Sequence, residues 1–288
     1  MTRLAAAALS TALSLGAALG CAGAAQACDG AGVIVRIDGQ PQDVVITRAA
    51  QVVSRPRVLE VVCRADVIKS VGATRIVLSI DGVGNVTVTR DGAYTVPARS
   101  GAPSALGNAY RSINDEVMPD MKRMPWNVRL KGAGDDFGFA LPALTAGGQH
   151  VSAGDRSLLV RLVGGSAPYK VEIRNGAGAI VASQTSESHE VRLDHVPLSL
   201  GDYKITASDS TPRSLDAAVS VVSASPPADD AFAGLTDPEI RAAASATALA
   251  RSQTATWSFE AEQQLAAAPA NGLDRDKVYE LIESYSAD

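Results

Sequence analysis

Three methionines, Met118, Met121 and Met124, stand three residues apart and are the only ones after the initiator. Thioether sulfur is a soft ligand suited to Cu(I), so such a run has the chemistry of a copper site. The same spacing serves packing, because three flexible apolar side chains cover one face of a short helix. Pro119 and Pro125 interrupt any regular helix, and no His or Cys lies close in sequence. Packing is therefore the expectation, with no metal or other cofactor assigned, and Met118, Met121 and Met124 remain the metal candidates. The chain's three histidines are His150, His189 and His195. On a strand, His189 and His195 share a face but stand about 20 Å apart, too far to hold one ion. Asp135-Asp136 and Asp229-Asp230 sit in Gly- or Pro-rich stretches and read as turn chemistry rather than as an acid/base pair. Nucleophile-elbow, Ser-x-x-Lys, His-Glu-x-x-His and P-loop patterns are missing, so no catalytic residue is nominated and the expectation is a non-enzyme.

The cysteines depend on how the first residues are read. Arg3 precedes an apolar stretch over residues 4–19, and Ala25-Gln26-Ala27 forms a small-x-small cleavage site. Residues 1–27 are thus expected to be a signal peptide cleaved after Ala27, which places the mature chain in the periplasm or outside the cell with no transmembrane segment. Ala18-Leu19-Gly20-Cys21 approximates a lipoprotein box and keeps open an alternative, a membrane-anchored lipoprotein acylated at Cys21. Both routes leave Cys28 and Cys63, and two cysteines in an oxidising compartment most simply form one disulfide. A redox or metal pair would call for CxxC spacing or neighbouring histidines, which are missing.

The elements that would position these residues are mostly strands. Val33-Ile34-Val35-Arg36-Ile37, Asp43-Val44-Val45-Ile46-Thr47 and Val58-Leu59-Glu60-Val61-Val62 alternate with period two. Arg75-Ile76-Val77-Leu78-Ser79-Ile80 turns at Asp81-Gly82 into Asn85-Val86-Thr87-Val88-Thr89, and Asp91-Gly92 leads to a further strand. Residues 107–125 read as a connector with short helical turns. Alternation resumes at Trp126-Asn127-Val128-Arg129-Leu130-Lys131, and strands then recur every eight to twelve residues to Val222. Residues 224–235 read as a Pro-containing linker. Helical grammar follows over residues 236–288, where Thr236-Asp237-Pro238-Glu239 combines a capping box with proline at the first helical position. Further apolar stripes carry Trp257, Ala261 and Leu265, then Val278, Leu281, Ile282 and Tyr285.

Two stretches resemble known families. Ala65-Asp66-Val67-Ile68, Asp81-Gly82 and Tyr94-Thr95-Val96 make residues 58–97 similar to the FecR-type periplasmic domain, although Ala65 stands where that family has glycine. The resemblance implies a small β-rich module over residues 28–106 that binds other proteins. Gly164-Gly165-Ser166-Ala167-Pro168-Tyr169 and Leu198-Ser199-Leu200-Gly201-Asp202-Tyr203-Lys204-Ile205 make residues 126–223 resemble bacterial immunoglobulin-like modules, which implies a β-sandwich with a buried corner tyrosine. The expected fold is mainly β: a small N-terminal β-rich module and an immunoglobulin-like sandwich, with a C-terminal helical extension.

Charge is unevenly placed on this chain. Residues 224–288 hold four Lys or Arg against eleven Asp or Glu, while residues 28–223 hold 21 against 20. No basic stripe exists for nucleic acid or anionic lipid. The abundance of Ala, Gly and Val with few aromatics points to a GC-rich bacterial source. These readings converge on an exported, non-enzymatic bacterial envelope protein that binds another envelope component, most simply a protein. The alternative is a periplasmic copper-handling protein using the methionine run. The acidic helical tail is expected to face that partner rather than to support the fold.

Overall fold

In the computed structural model, residues 28–53, 55–98, 105–118, 136–211, 213–226, 230–251 and 256–285 are described. The export segment with Cys21 and Ala27, the residues Met121, Met124, Asp135 and Asp229, and the strand expected over residues 126–131 lie outside them.

Among the described residues the molecule is mainly β with a helical C-terminal part, as the alternation implies. The first half is built from β1 (Gly30–Asp38), β2 (Val44–Arg48), β3 (Gln51–Val53), β4 (Val61–Cys63), β5 (Val67–Ser70), β6 (Arg75–Ile80), β7 (Gly84–Val88) and β8 (Ala93–Thr95). They form two antiparallel four-stranded sheets, ordered β4-β1-β6-β7 and β3-β2-β5-β8. Ile34, Ile46, Ile68, Ile76 and Leu78 share a dry core with Val44, Val62, Val88 and Val96. Strand β1 is buried on both faces, which its unbroken Ala-Gly-Val-Ile-Val run requires. Ile34 joins that core, whereas Val33 and Val35 join a larger one on the opposite side.

A buried ion pair holds the sheet junction. Asp66, 1% exposed, takes bonds from Arg48 at 2.9 and 3.1 Å and from the Cys63 amide at 2.7 Å. The residue before it, Ala65, adopts a left-handed φ of +64°, a conformation glycine reaches without steric cost. The expected disulfide is present: Cys28 and Cys63 are bridged with Cα atoms 5.4 Å apart.

Helix α1 (Ala105–Ser112), continued by a π-helical turn over Ile113–Val117, packs Tyr110 on β1, and Ile113 joins the larger core. The second half comprises β9 (Gly138–Phe139), the short helix α2 (Pro142–Ala146), β10 (Gln149–Ser152), β11 (Gly154–Val163), β12 (Tyr169–Asn175), β13 (Ile180–Ser186), β14 (Glu190–Leu198), β15 (Gly201–Ser208) and β16 (Ser214–Val222). Two sheets result, ordered β10-β16-β15-β12-β13 and β14-β11-β9, and among the described residues only β10 and β16 pair in parallel. The corner tyrosine is buried as its motif implies, and the Tyr203 hydroxyl accepts the Ser199 amide at 2.9 Å.

Three helices close the chain: α3 (Pro238–Arg251), α4 (Ser258–Ala267) and α5 (Arg275–Tyr285). The tail, expected to face a partner rather than to support the fold, packs into it instead. Trp257, Phe259, Leu265, Val278, Leu281 and Ile282 belong to the same core as the strands of the second half. Phe232 and Leu235, in the stretch read as a linker, are buried there too. The capping detail also differs. Because Pro238 opens α3, Asp237 is the residue placed to cap it, accepting the amides of Glu239 and Ile240 at 2.8 and 3.2 Å. That frees Glu239 to bind the Asn271 and Leu273 amides and Arg275.

Candidate functional site

Among the described residues, those singled out in the sequence do not converge. Met118 ends the π-helical turn and is fully buried in the larger core, the packing role of a flexible apolar side chain. His150 lies edge-on to Trp257 with ring centroids 5.4 Å apart. His189 Nε2 lies 2.8 Å from the Tyr169 hydroxyl, whereas His195 is almost fully exposed and adopts φ +54°. That left-handed residue breaks the regular strand alternation assumed between the two histidines. Among the described residues no group of three or more His, Cys, Asp or Glu side chains is arranged to hold a metal. Beside the disulfide lies a cavity of about 250 Å³, lined by Cys28, Val61, Tyr110, Arg111, Asn114 and Asp115.

The strand edges differ in how they are finished. Strand β14 ends one sheet and is guarded: it carries Glu190, Arg192, Asp194 and Pro197, and its pairing with β11 shifts register between Arg156 and Leu158. Such charges and prolines keep foreign strands away, whereas a register shift does not separate the two edges, because the β12–β13 pairing also shifts between Ile173 and Arg174. Strands β3, β4 and β8 are three residues long, and β9 is two. Strand β10 is covered by the tail, since the His150 amide donates to Thr256 O at 2.7 Å and Gln149 Oε1 accepts the Phe259 amide at 3.0 Å. Strands β7 and β13 are finished otherwise: β7, Gly84-Asn85-Val86-Thr87-Val88, is uncharged and proline-free but only five residues long, and β13 is longer. Ile180-Val181-Ala182-Ser183-Gln184-Thr185-Ser186 contains no charge and no proline. Among the described residues it pairs with β12 alone. Its residues are exposed or half-buried, with Val181 and Ala182 leaning on the core. Away from β14, which packs beside it, its unpaired main-chain groups are open to an incoming extended segment.

A second concentration of polar chemistry lies between β11 and the tail helices. Gln263 of α4 binds β11 as a strand would: its Oε1 accepts the Leu159 amide at 2.7 Å and its Nε2 donates to Leu159 O at 3.0 Å. Glu260 takes Arg156 at 2.9 Å and the Ser152 amide at 3.1 Å. Deeper in, Arg161 pairs with the fully buried Glu283, and its guanidinium lies 4.4 Å from the centre of the Tyr279 ring. Glu262 is 1% exposed, and its Oε1 has no hydrogen-bond partner. Burial, and then the field of Glu283, push the Glu262 carboxyl well above the usual range. Burial likewise pushes Glu283 up to about 8, although Arg161 opposes the shift.

Sequence reasoning missed both places. For β13 the signal was the absence of charge along seven residues flanked by charged strands. For the tail it was Glu260, Glu262 and Gln263 crowded on one short helix whose apolar stripe was read as its only buried face.

No family model matches this chain, and no curated protein matches it. Among solved structures, CopC from Methylosinus trichosporium OB3b is similar over 25% of this chain and 81% of its own, at 23% identity and a TM-score of 0.21. Dimeric latent PorU from Porphyromonas gingivalis is similar over 68% of this chain and 18% of its own, at 13% identity and a TM-score of 0.22. At these scores neither likeness bears on fold or function.

Proposed function

We propose that this is an exported, non-enzymatic envelope protein that captures an extended segment of another envelope protein by strand addition at β13. The observation that carries the reading is the contrast between the guarded β14 edge and the neutral, proline-free β13 edge. Main-chain groups supply the affinity, and alternate exposed side chains such as Ser183 and Thr185 supply the selectivity. A neutral edge suits an uncharged partner strand rather than a nucleic acid. The Cys28–Cys63 bridge supports residence in an oxidising compartment. The FecR-type and immunoglobulin-like resemblances belong to the same reading. Left-handed Ala65 at a family glycine position supports the first, and the Tyr203 corner supports the second. The copper reading has less behind it, because Met118 is spent on core packing.

The test is site-specific photocrosslinking in the envelope. A photoreactive side chain at exposed Gln184 should give an adduct with one envelope protein, mapped to one extended segment. The same group at Arg192 on the guarded edge should give none. Equal yields at the two positions would overturn the assignment.

A further inference from the structure

We propose that the seam between β11 and helices α4 and α5 is a proton-operated latch, in which a proton held by the Glu262–Glu283 carboxyls over Arg161 keeps the helices docked and its loss loosens them. Geometry carries the case. Two carboxyl groups are buried, Glu262 at 1% exposure and Glu283 at 0%, and one guanidinium, that of Arg161, reaches into the seam and pairs with Glu283. Arg161 is further shared with Glu190 at 3.2 Å and Asp276 at 3.8 Å. The other nearby cation, Arg275, is committed to Glu239 of α3 at 2.6 Å. One positive charge cannot balance two buried carboxylates, and a second bare charge in a dry seam costs more than keeping its proton.

The surroundings sharpen this imbalance. From the strands, Arg161 and Glu190 face the pair. From α5, Asp276, Tyr279 and Glu280 face it, and Lys277 is turned to Glu280 at 2.9 Å. Glu260, on the same helix as Glu262, is neutralised by Arg156. Apart from Arg161, the field on Glu262 comes from the acidic residues Glu283 and Glu190, so it holds the proton in place.

The sign follows from linkage. Both carboxyls bind protons more tightly in the docked state than in an unfolded chain, where glutamate titrates at 4.5. Docking is strongest below that value and is lost as pH rises toward about 8. Each retained proton makes opening about tenfold easier per pH unit across this window. An envelope protein meets such changes directly, because its compartment follows the medium.

Hydrogen exchange of the full mature protein, read by mass spectrometry between about pH 5 and about pH 9 and corrected for intrinsic rates, tests the latch. Protection of α5 should fall steeply with pH in the wild type. Glu262→Gln, which mimics the protonated acid, should lessen the slope and leave only the part that Glu283 supplies, while Glu187→Gln on the surface should leave it unchanged. A wild-type slope retained in Glu262→Gln would overturn the proposal. A readout independent of any variant is the infrared carbonyl band of a protonated carboxyl, expected in the wild type at neutral pH and lost at alkaline pH. Its absence at neutral pH would equally overturn the latch.

Discussion

Gln263 does for β11 what a neighbouring strand would do, bonding both main-chain groups of Leu159 from a helix 104 positions away in sequence. The reason is local. Strand β9 covers β11 only around Leu162 and Val163, and it leaves the Leu159 groups open. Replacing Gln263 with Ala strands a donor and an acceptor in a dry seam, so urea unfolding should show a loss of about 2–4 kcal/mol with little change in slope. A loss under about 0.5 kcal/mol would mean that water replaces the amide at no cost. At this scale the sequence was only partly readable. The Cys28–Cys63 pairing followed from compartment and count, and Pro238 located the start of α3. Gln263, Glu262 and Glu283 were not legible as buried, because a polar side chain on a helix reads as solvent-facing until its partner is known. Pairing across 104 positions has no local signal.

The strands were legible as elements because period-two alternation is written into each of them, and the observed bounds mostly extend the expected ones by a few residues. The helices were legible as helices but not as supports. Their hydrophobic stripes are narrow, and α3 is rich in alanine, which reads as weak driving force. Ala243, Ala244, Ala246 and Ala250 are in fact buried, and their small size lets α3 lie close against α4 and α5. Four of the eleven acidic residues beyond residue 223 are buried in internal contacts: Glu239, Glu260, Glu262 and Glu283. Part of the acidic character of the tail is therefore spent inside the molecule rather than presented to a partner. A chain ending at Ser223 should be insoluble or should lose cooperative thermal unfolding, since it exposes Phe139, Leu144 and the open edge of β10. A sharp transition matching that of the full mature chain, by calorimetry, would show that the tail is dispensable.

Taken whole, the molecule is tied together at points distant in sequence. The disulfide links Cys28 to Cys63, and the Asp274 amide reaches back to Val35 O at 2.9 Å. Closing a loop of 35 residues should contribute about 3–4 kcal/mol in the chain-entropy view. Reduction should lower the denaturant midpoint accordingly, and intact mass after alkylation should show two thiols that appear only on reduction. Free thiols in exported protein would count against the bridge. The substitution of Gln263 for a missing strand has a consequence for biogenesis. Helices that leave the ribosome or a translocation channel well after β10 and β11 supply the groups that finish β11 and cover β10. Until they arrive, both sheet edges remain open to any extended chain nearby. The interval between making residue 163 and residue 263 is thus the period in which this protein is most exposed to aggregation, and a holding chaperone acting on the C-terminal side would protect it where it is weakest.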